Sequence, residues 1–313
     1  MQGPVDLQQR RRKVQHLQMV MENIGQLELI HNGYRALAPH FAGGFDEERV
    51  FGGHILAQFY LAAKQLRDDA AIHRIDVNFL AAASTETPIN YEKVNERGDL
   101  IWFEATQQNR LVDKSIVKFK SIPSTRPRRP APQNPPIKEF LDLPAPNSCP
   151  LMEDALRSEV IDENLQTTGP GYDFMFSRQS RDLFEVRFIN PTHLKSARGP
   201  IKNYMRLRKE LRDVPINDPM VVPLLISDYF ACLPVTVLTE KLLIPIDSVA
   251  SLNHKVMIHT EKCDPNGWFI LELDYEAASS TGLVLGRVAA EDGTPILNFS
   301  QQFYLQLDER PKL

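Results

Sequence analysis

The sequence VVPLLISDYFACLP occupies residues 221–234, and Asp228 is its only charged residue. Leu224, Leu225, Asp228 and Cys232 recur at helical spacing, which predicts a short helix with the acid on or beside its buried face. A lone carboxylate in apolar surroundings costs several kcal/mol unless it is paired, hydrogen-bonded or protonated. Two interpretations follow: Asp228 caps a helix or binds a backbone amide, or it takes part in chemistry.

The composition describes an ordinary globular chain. Its 313 residues suffice for about two domains, with 42% hydrophobic and 24% charged residues. A net charge of −4 gives no reason to expect a nucleic-acid partner. Three widely spaced cysteines, Cys149, Cys232 and Cys263, predict neither a disulfide framework nor a zinc site. No apolar run approaches the ~20 residues of a membrane span, and the amino terminus lacks a signal-peptide core, so we expect no stable membrane insertion.

The two halves of the chain repeat one order of elements. In the first half a predicted helix at 53–66 precedes strands at 74–80, 89–95, 101–109 and 113–122. In the second half a strand at 183–189 and a charged segment at 195–212, interpreted as a loop and a surface helix, precede the Asp228 helix. Four more strands follow at 249–258, 268–275, 282–289 and 296–307. This order predicts an α+β fold with two antiparallel sheets, each wrapped around a central helix and joined edge to edge.

Proline-rich sequence separates the repeats. Because proline lacks an N–H and fixes φ, we expect this stretch to form neither helix nor strand and interpret it as an extended linker. The predicted organisation is a polar amino-terminal segment at 1–24, a first domain at 25–122, a linker at 123–150, a second domain at 151–310 and a carboxy-terminal tripeptide at 311–313.

Paired glycines open the first predicted helix. Gly52 and Gly53 allow a close approach to the helix amino end, where free N–H groups and the helix dipole can polarise a carbonyl or hold an anion. Close packing of the helix against the sheet is an equally good interpretation.

Familiar catalytic signatures are missing from the sequence. It contains no Gly-x-Ser-x-Gly, no phosphate-binding loop and no His-Glu-x-x-His, and His254 and His259 point to opposite faces of their predicted strand. The second half offers Asp228, Ser251 and Gln301 instead. A carboxylate, a hydroxyl and an amide that converge can hold one water, with the acid accepting its proton.

Several motifs together resemble the acyl-CoA thioesterase II family over residues 25–307. They are Arg49-Val50-Phe51-Gly52-Gly53-His54, Ile226-Ser227-Asp228-Tyr229, Ser251-Leu252-Asn253-His254, and Asp292-Gly293 followed eight residues later by Gln301. The resemblance implies a double hotdog fold and hydrolysis of fatty acyl-CoA to free acid and coenzyme A, without metal or cofactor.

The resemblance also implies roles for individual residues. Asp228 matches the catalytic acid, and Ser251 and Gln301 match its partners in activating water. We expect Gly52, Gly53, His54 and His254 to contact the substrate, and amides near a helix amino end, with the Gln301 side chain, to polarise the thioester carbonyl.

Departures from the family pattern concern basic residues. Ala81-Ala82-Ala83 stands where the family has Arg-Pro-Gly, and Thr281 replaces an arginine. These losses predict a weaker grip on coenzyme A phosphates or a shifted substrate range. Two rivals therefore stay open: a non-catalytic acyl-CoA or lipid-binding protein, and a hotdog enoyl-CoA hydratase, which the missing Asp-x-x-x-x-His pattern disfavours.

The last three residues, Pro311-Lys312-Leu313, partly match the Ser-Lys-Leu signal of peroxisomal import. We expect recognition by the import receptor and a peroxisomal location, with a chance tail and the cytoplasm as the alternative. The family resemblance also implies a homo-oligomer formed through edge strands.

Overall fold

The computed structural model describes residues 4–42, 48–120, 135–152, 154–155, 183–190, 199–229, 231, 246–278 and 281–307. The first-half strands are β1 Leu27–Ile30, β2 Gly33–Ala36, β3 Ile72–Phe79, β4 Ile89–Arg97, β5 Leu100–Gln107 and β6 Arg110–Phe119. Those of the second half are β7 Phe184–Phe188, β8 Ile201–Leu207, β9 Ile246–Ile258, β10 Phe269–Ala278, β11 Thr281–Ala290 and β12 Pro295–Leu307. The helices are α1 Pro4–Ile24, α2 Gly52–Leu66, α3 Lys138–Leu141 and α4 Val221–Tyr229.

Local sequence accounts for most of these elements. Buried and half-exposed residues alternate along β5, as expected for a strand with one face on the core. The tight β5–β6 turn uses Gln108 and Asn109 at positive φ, and the turn between β11 and β12 uses Gly293 at φ +81°. In α2 the apolar, alanine-rich run from Gly53 to Ala63 is buried throughout, because the helix lies inside the curved sheet.

The twelve strands form one sheet in the order β1-β2-β4-β5-β6-β3-β9-β12-β11-β10-β8-β7. Its two halves have the same order when each is read inward from its edge. They meet where β3 pairs antiparallel with β9, with Val77 opposite His254. Buried residues from both halves, including those of α2 and α4, form one hydrophobic cluster. The predicted α+β double hotdog is confirmed.

Two details differ from the sequence-based expectations. The segment at 195–212 was expected to form a loop and a surface helix, but its described part contains β8, hydrogen-bonded to β7 and β10. Charged residues hid the strand pattern: Lys202 and Arg206 lie on the outer face, where they pair with Glu272 and Glu185, while Ile201 and its alternate neighbours face the core.

The polar segment at 1–24 is α1 from Pro4 onward, and it buries Val20, Met21 and Ile24 against the core. The proline-rich stretch also forms a helical turn that was not expected, α3, which buries Phe140. Residues 121–134 and 311–313 lie outside the described part of the chain. The domain boundaries stay predictions.

Candidate active site

Helix α4 places Asp228 at the boundary between the two halves. All nine residues of this helix are buried, and Asp228 is 8% exposed. Apolar α4 residues drive the helix into the core, which carries the carboxylate to the amino end of α2. An acid in this position requires hydrogen-bond partners, and the structure supplies them from both halves.

The amide of Gln301 joins the three predicted catalytic side chains. Its Nε2 donates to Asp228 Oδ1 at 2.5 Å and to Ser251 Oγ at 2.7 Å. Gln301 lies on β12 between inward-facing Phe299 and Phe303, and all three are buried, as expected for alternate residues of a strand with one face on the core. Gln301 Oε1 is buried and has no hydrogen-bond partner among the described residues, so it retains the capacity to accept a hydrogen bond.

A β-bulge brings Ser251 to this cluster. On β9, His254 pairs with Gln301 and Asn253 with Gln302, but Phe303 pairs with Ser251, so Leu252 is an extra residue. Strict alternation from His254 would put Ser251 on the outer face, and the extra residue reverses its direction. The bulge therefore assembles the cluster.

The amino end of α2 completes the coordination of Asp228. Gly53 N donates to Asp228 Oδ2 at 2.6 Å, while the cap residue Phe51 supplies no side-chain hydrogen bond. A Cβ on Gly52 would lie 2.8 Å from Asp228 Oδ2, and one on Gly53 would lie 3.1 Å from Asp228 Cβ. Gly52 is needed because the carboxylate approaches its backbone this closely, and the positive end of the α2 dipole stabilises the negative charge of Asp228.

His254 lies directly behind the carboxylate. It is fully buried and stacks on Phe299, and its Nδ1 is 3.7 Å from Asp228 Oδ1. Its Nε2 is 3.2 Å from Ser227 Oγ, whose hydroxyl donates to Leu224 O at 2.8 Å. Because that hydroxyl proton is committed, His254 Nε2–H is the donor to Ser227 Oγ, and Nδ1 faces Asp228. Ser227 is therefore a supporting residue that sequence reasoning gave no role, although it adjoins the acid.

His54 lies apart from the other predicted site residues. Its Nε2 is 3.1 Å from His40 Nδ1, and His40 Nε2 is 3.0 Å from the carbonyl oxygen of Thr87. Burial, together with the neighbouring His40, holds the pKa of His54 well below its ordinary value. The structure thus brings together Asp228, Ser251, Gln301, Gly52, Gly53 and His254, and it turns the His54 ring toward Phe41 instead.

Aromatic rings enclose the cluster. Phe51 and Phe184 each contact Tyr229 edge to face, at centroid distances of 5.9 and 4.8 Å. The ring of Phe79 comes within 3.0 Å of the Cβ position of Gly52. Such surroundings lower the local dielectric and strengthen each hydrogen bond to the carboxylate. The described residues contain no group of three or more metal-ligating side chains, and no described helix is long and apolar enough to span a bilayer.

No protein-family model matches the chain, but individual proteins do. It is 26% identical over 274 residues to mouse acyl-coenzyme A thioesterase 8, covering 83% of this chain and 81% of that protein. The human protein of the same name is 25% identical over 268 residues, covering 82% and 80%.

Solved structures agree with the fold. A tesB protein from Mycobacterium avium subspecies paratuberculosis superposes with a TM-score of 0.64 at 16% identity, covering 93% of this chain and 99% of that one. The acyl-CoA thioesterase II TesB2 from Mycobacterium marinum superposes with a TM-score of 0.62 at 18% identity, covering 92% of this chain and 99% of that one.

The chain has a double hotdog fold, and the proteins to which it is similar are named acyl-CoA thioesterases. The predicted resemblance to the acyl-CoA thioesterase II family is confirmed, and the chain resembles that family as a divergent member.

Proposed function

We propose that this protein hydrolyses acyl-CoA thioesters to free fatty acid and coenzyme A, in fatty acid metabolism, with Asp228 as the base that activates water. The observation that carries the proposal is the convergence of Asp228, Ser251 and Gln301 through one amide group. The names of the relatives, acyl-coenzyme A thioesterase 8 and acyl-CoA thioesterase II, support the same substrate class.

The hydrogen bonds suggest how each group acts. Water donates one hydrogen to the Asp228 carboxylate and the other to Gln301 Oε1, which has no partner among the described residues. The oxygen of this water attacks the thioester carbonyl carbon while Asp228 takes the proton from the water. The C–S bond then breaks, and the proton passes from Asp228 to the departing thiolate, so that acid and thiol leave and the carboxylate is restored.

The remaining groups position the reacting atoms. Both N–H bonds of Gln301 are already donated to Asp228 and Ser251, which leaves Gln301 to orient water rather than to polarise the carbonyl. We assign polarisation of the carbonyl to the amino end of α2, where the helix dipole stabilises the developing negative charge.

A panel of acyl-CoA esters of increasing chain length, assayed for released thiol, tests this function. We expect turnover at catalytic protein concentrations, with a maximum at one range of chain length. The rival interpretation, a non-catalytic acyl-CoA-binding protein, predicts saturable binding of the same esters without thiol release, and that result would overturn the proposal.

We also propose peroxisomal import through Pro311-Lys312-Leu313 and assembly into a homo-oligomer. The support is the sequence of the tail and the edge positions of β1 and β7 in the described sheet. Punctate peroxisomal fluorescence of an amino-terminal reporter fusion, lost when residues 311–313 are deleted, would support import, and diffuse cytoplasmic signal from the intact chain would contradict it. Light scattering of the purified protein decides the second proposal, since a monomeric mass excludes the oligomer.

A further inference from the structure

A row of side chains crosses the inner face of the first-half sheet. Tyr91 on β4 pairs with Ala105 on β5, Ala105 with Asp113 on β6, and Asp113 with Phe79 on β3. Cross-strand partners project from the same face of a sheet, so these four share the face toward α2. The small Ala105 lies between Tyr91 and Asp113 in this row.

Polar atoms without hydrogen-bond partners lie on this row and beside it. We call Gln58, Tyr91, Asp113 and Ser115 the Asp113 cluster. Tyr91 donates its hydroxyl to Gln58 Oε1 at 2.6 Å, but Gln58 Nε2, both carboxyl oxygens of Asp113 and Ser115 Oγ have no hydrogen-bond partner among the residues described. Each of these three side chains is no more than 1% exposed. Buried polar atoms are nearly always satisfied, so several orphans in one place indicate a binding partner.

The cluster suits a neutral ligand. Burial alone raises the pKa of Asp113 to about 8, with no cation among the described residues to offset it, so the carboxyl is mainly protonated at neutral pH. A protonated carboxyl and an amide N–H donate hydrogen bonds, whereas the other carboxyl oxygen and the serine hydroxyl accept them. A hydroxyl group, which both donates and accepts, matches this combination, and an anion would lack a positive partner.

The Asp113 cluster lies next to the candidate active site. Phe79, the strand neighbour of Asp113, has its ring against Gly52, and the adjacent Gly53 N–H binds Asp228. Gln58 follows Gly53 by five residues on α2, or about 7.5 Å along the helix axis. An acyl chain whose thioester lies at Asp228 would pass Phe79 and run between α2 and the sheet to reach the cluster.

We propose that the Asp113 cluster binds a hydroxyl group on the acyl chain and selects hydroxyacyl-CoA thioesters over unsubstituted ones. This inference rests on the proposed function for the position of the thioester. The cluster contacts the acyl chain at a fixed distance from the thioester carbonyl, so the preference for a hydroxyl group applies to one or two adjacent positions of the chain.

The test uses acyl-CoA esters of one length, unsubstituted or with a hydroxyl moved stepwise along the chain, and reports kcat/KM from thiol release. For the wild-type protein we expect the ester with the hydroxyl at one position to have a kcat/KM at least about tenfold higher than that of the unsubstituted ester. Asp113→Leu should bring that ratio to about one. Asp113→Asn, which keeps hydrogen-bonding capacity, should retain part of it. The matched control is Lys114→Ala, on the same strand but facing outward, and it should keep the full ratio.

Binding of the same esters to the Asp228→Ala protein separates this inference from the proposed function. A hydroxyl preference in affinity without turnover by the wild type would sustain the binding site while refuting hydrolysis. Turnover with a ratio near one at every hydroxyl position would overturn the inference and leave hydrolysis standing. Equal affinities for all esters would also overturn it, and would mean that buried water satisfies the cluster.

Discussion

At the scale of single residues, Asp228 performs two roles that the sequence presented as alternatives. Its Oδ2 accepts the Gly53 N–H and so caps α2, while its Oδ1 accepts from Gln301. A cap of this kind contributes about 1 kcal/mol to stability, and it also fixes the carboxylate within the candidate site. The structural interpretation and the chemical one therefore describe the same contact.

The close approach of Asp228 to α2 predicts a separation of activity from stability in Gly52→Ala. The added Cβ would lie 2.8 Å from Asp228 Oδ2 and must displace the carboxylate. Displacement of a catalytic group should lower kcat by about tenfold or more, although alanine is otherwise the better helix residue. Thiol release and thermal unfolding of the same preparation measure both effects. A variant with unchanged kcat would show that the glycine serves packing alone.

Asp113 predicts a pH-dependent stability difference. Its folded-state pKa of about 8 lies above the ordinary value of 3.8. Between these values the unfolded chain releases a proton that the folded protein retains, so wild-type stability falls as pH rises and levels above pH 8. The Asp113→Asn variant does not lose stability in this way, because asparagine does not titrate. Its stability relative to wild type should increase between pH 4 and pH 8 by an amount on the order of a few kcal/mol, measured by urea unfolding. A difference that stays constant across this range would contradict the prediction.

Strand alternation drew attention to Gln301, because an inward amide between two phenylalanines must find partners, and the family resemblance gave Asp228 and Ser251 as those partners. The direction of Ser251 could not be predicted, since the bulge at Leu252 reverses it and nothing in the local composition marks a bulge. The Gly53–Asp228 contact was equally inaccessible, because it joins residues from opposite halves.

At the scale of elements, the two central helices have similar surroundings but different amino ends. Asp228 from α4 meets the amino end of α2, whereas Tyr60 from α2 lies near that of α4. There the Tyr60 hydroxyl is 3.2 Å from Asp218 Oδ2 and 3.4 Å from Glu261 Oε1, and Asp218 Oδ1 accepts from Met220 N. Burial and these two acids raise the pKa of Tyr60, so its hydroxyl stays protonated and donates to a carboxylate. At the amino end of α4, Asp218 and Glu261 therefore already bind the Tyr60 hydroxyl and the backbone. This leaves the amino end of α2 as the candidate for chemistry.

This contrast predicts that Tyr60→Phe affects folding and spares catalysis. Losing the hydroxyl deprives one of two partly buried carboxylates of its donor, which should cost about 1–3 kcal/mol. Tyr60 lies eight residues from Gly52 along α2, or about 12 Å, so kcat should change by less than about twofold. Urea unfolding and thiol release check the two parts, and a large fall in kcat would place Tyr60 in the site.

Elements with a simple hydrophobic periodicity were predictable from the sequence. A strand whose outward charged residues form ion pairs with both neighbouring strands was not. The α2 run and the last four strands follow the expected patterns within a few residues. β8 was mistaken for a loop and a surface helix because its outward cations, Lys202 and Arg206, resemble a solvated surface until their partners on β10 and β7 are known.

At the scale of the whole molecule, the sheet runs unbroken from β1 to β7 through the β3–β9 pair. The repeated order of elements predicted two sheets joined at their edges, since both repeats end in a set of strands. The choice of β3 and β9 as the joining strands depends on long-range pairing that a single sequence does not encode locally. The junction brings the amino end of α2 to Asp228.

The continuous sheet predicts that the two halves unfold together. The chain has two tryptophans, Trp102 on β5 and Trp268 next to β10, so Trp102→Phe and Trp268→Phe each leave a reporter in one half. Urea unfolding of the two variants, followed by fluorescence and by circular dichroism, should give the same midpoint by both probes within each variant. Separate transitions would show that the halves are independent domains despite the shared sheet.

The central claim is that Asp228 activates water at the meeting point of the two halves, and Asp228→Asn tests it most directly. The substitution preserves size while removing the base. We expect kcat for acyl-CoA hydrolysis to fall by about 100-fold or more, with the protein folded by circular dichroism and still binding acyl-CoA. Turnover close to that of wild type in the folded variant would contradict the account.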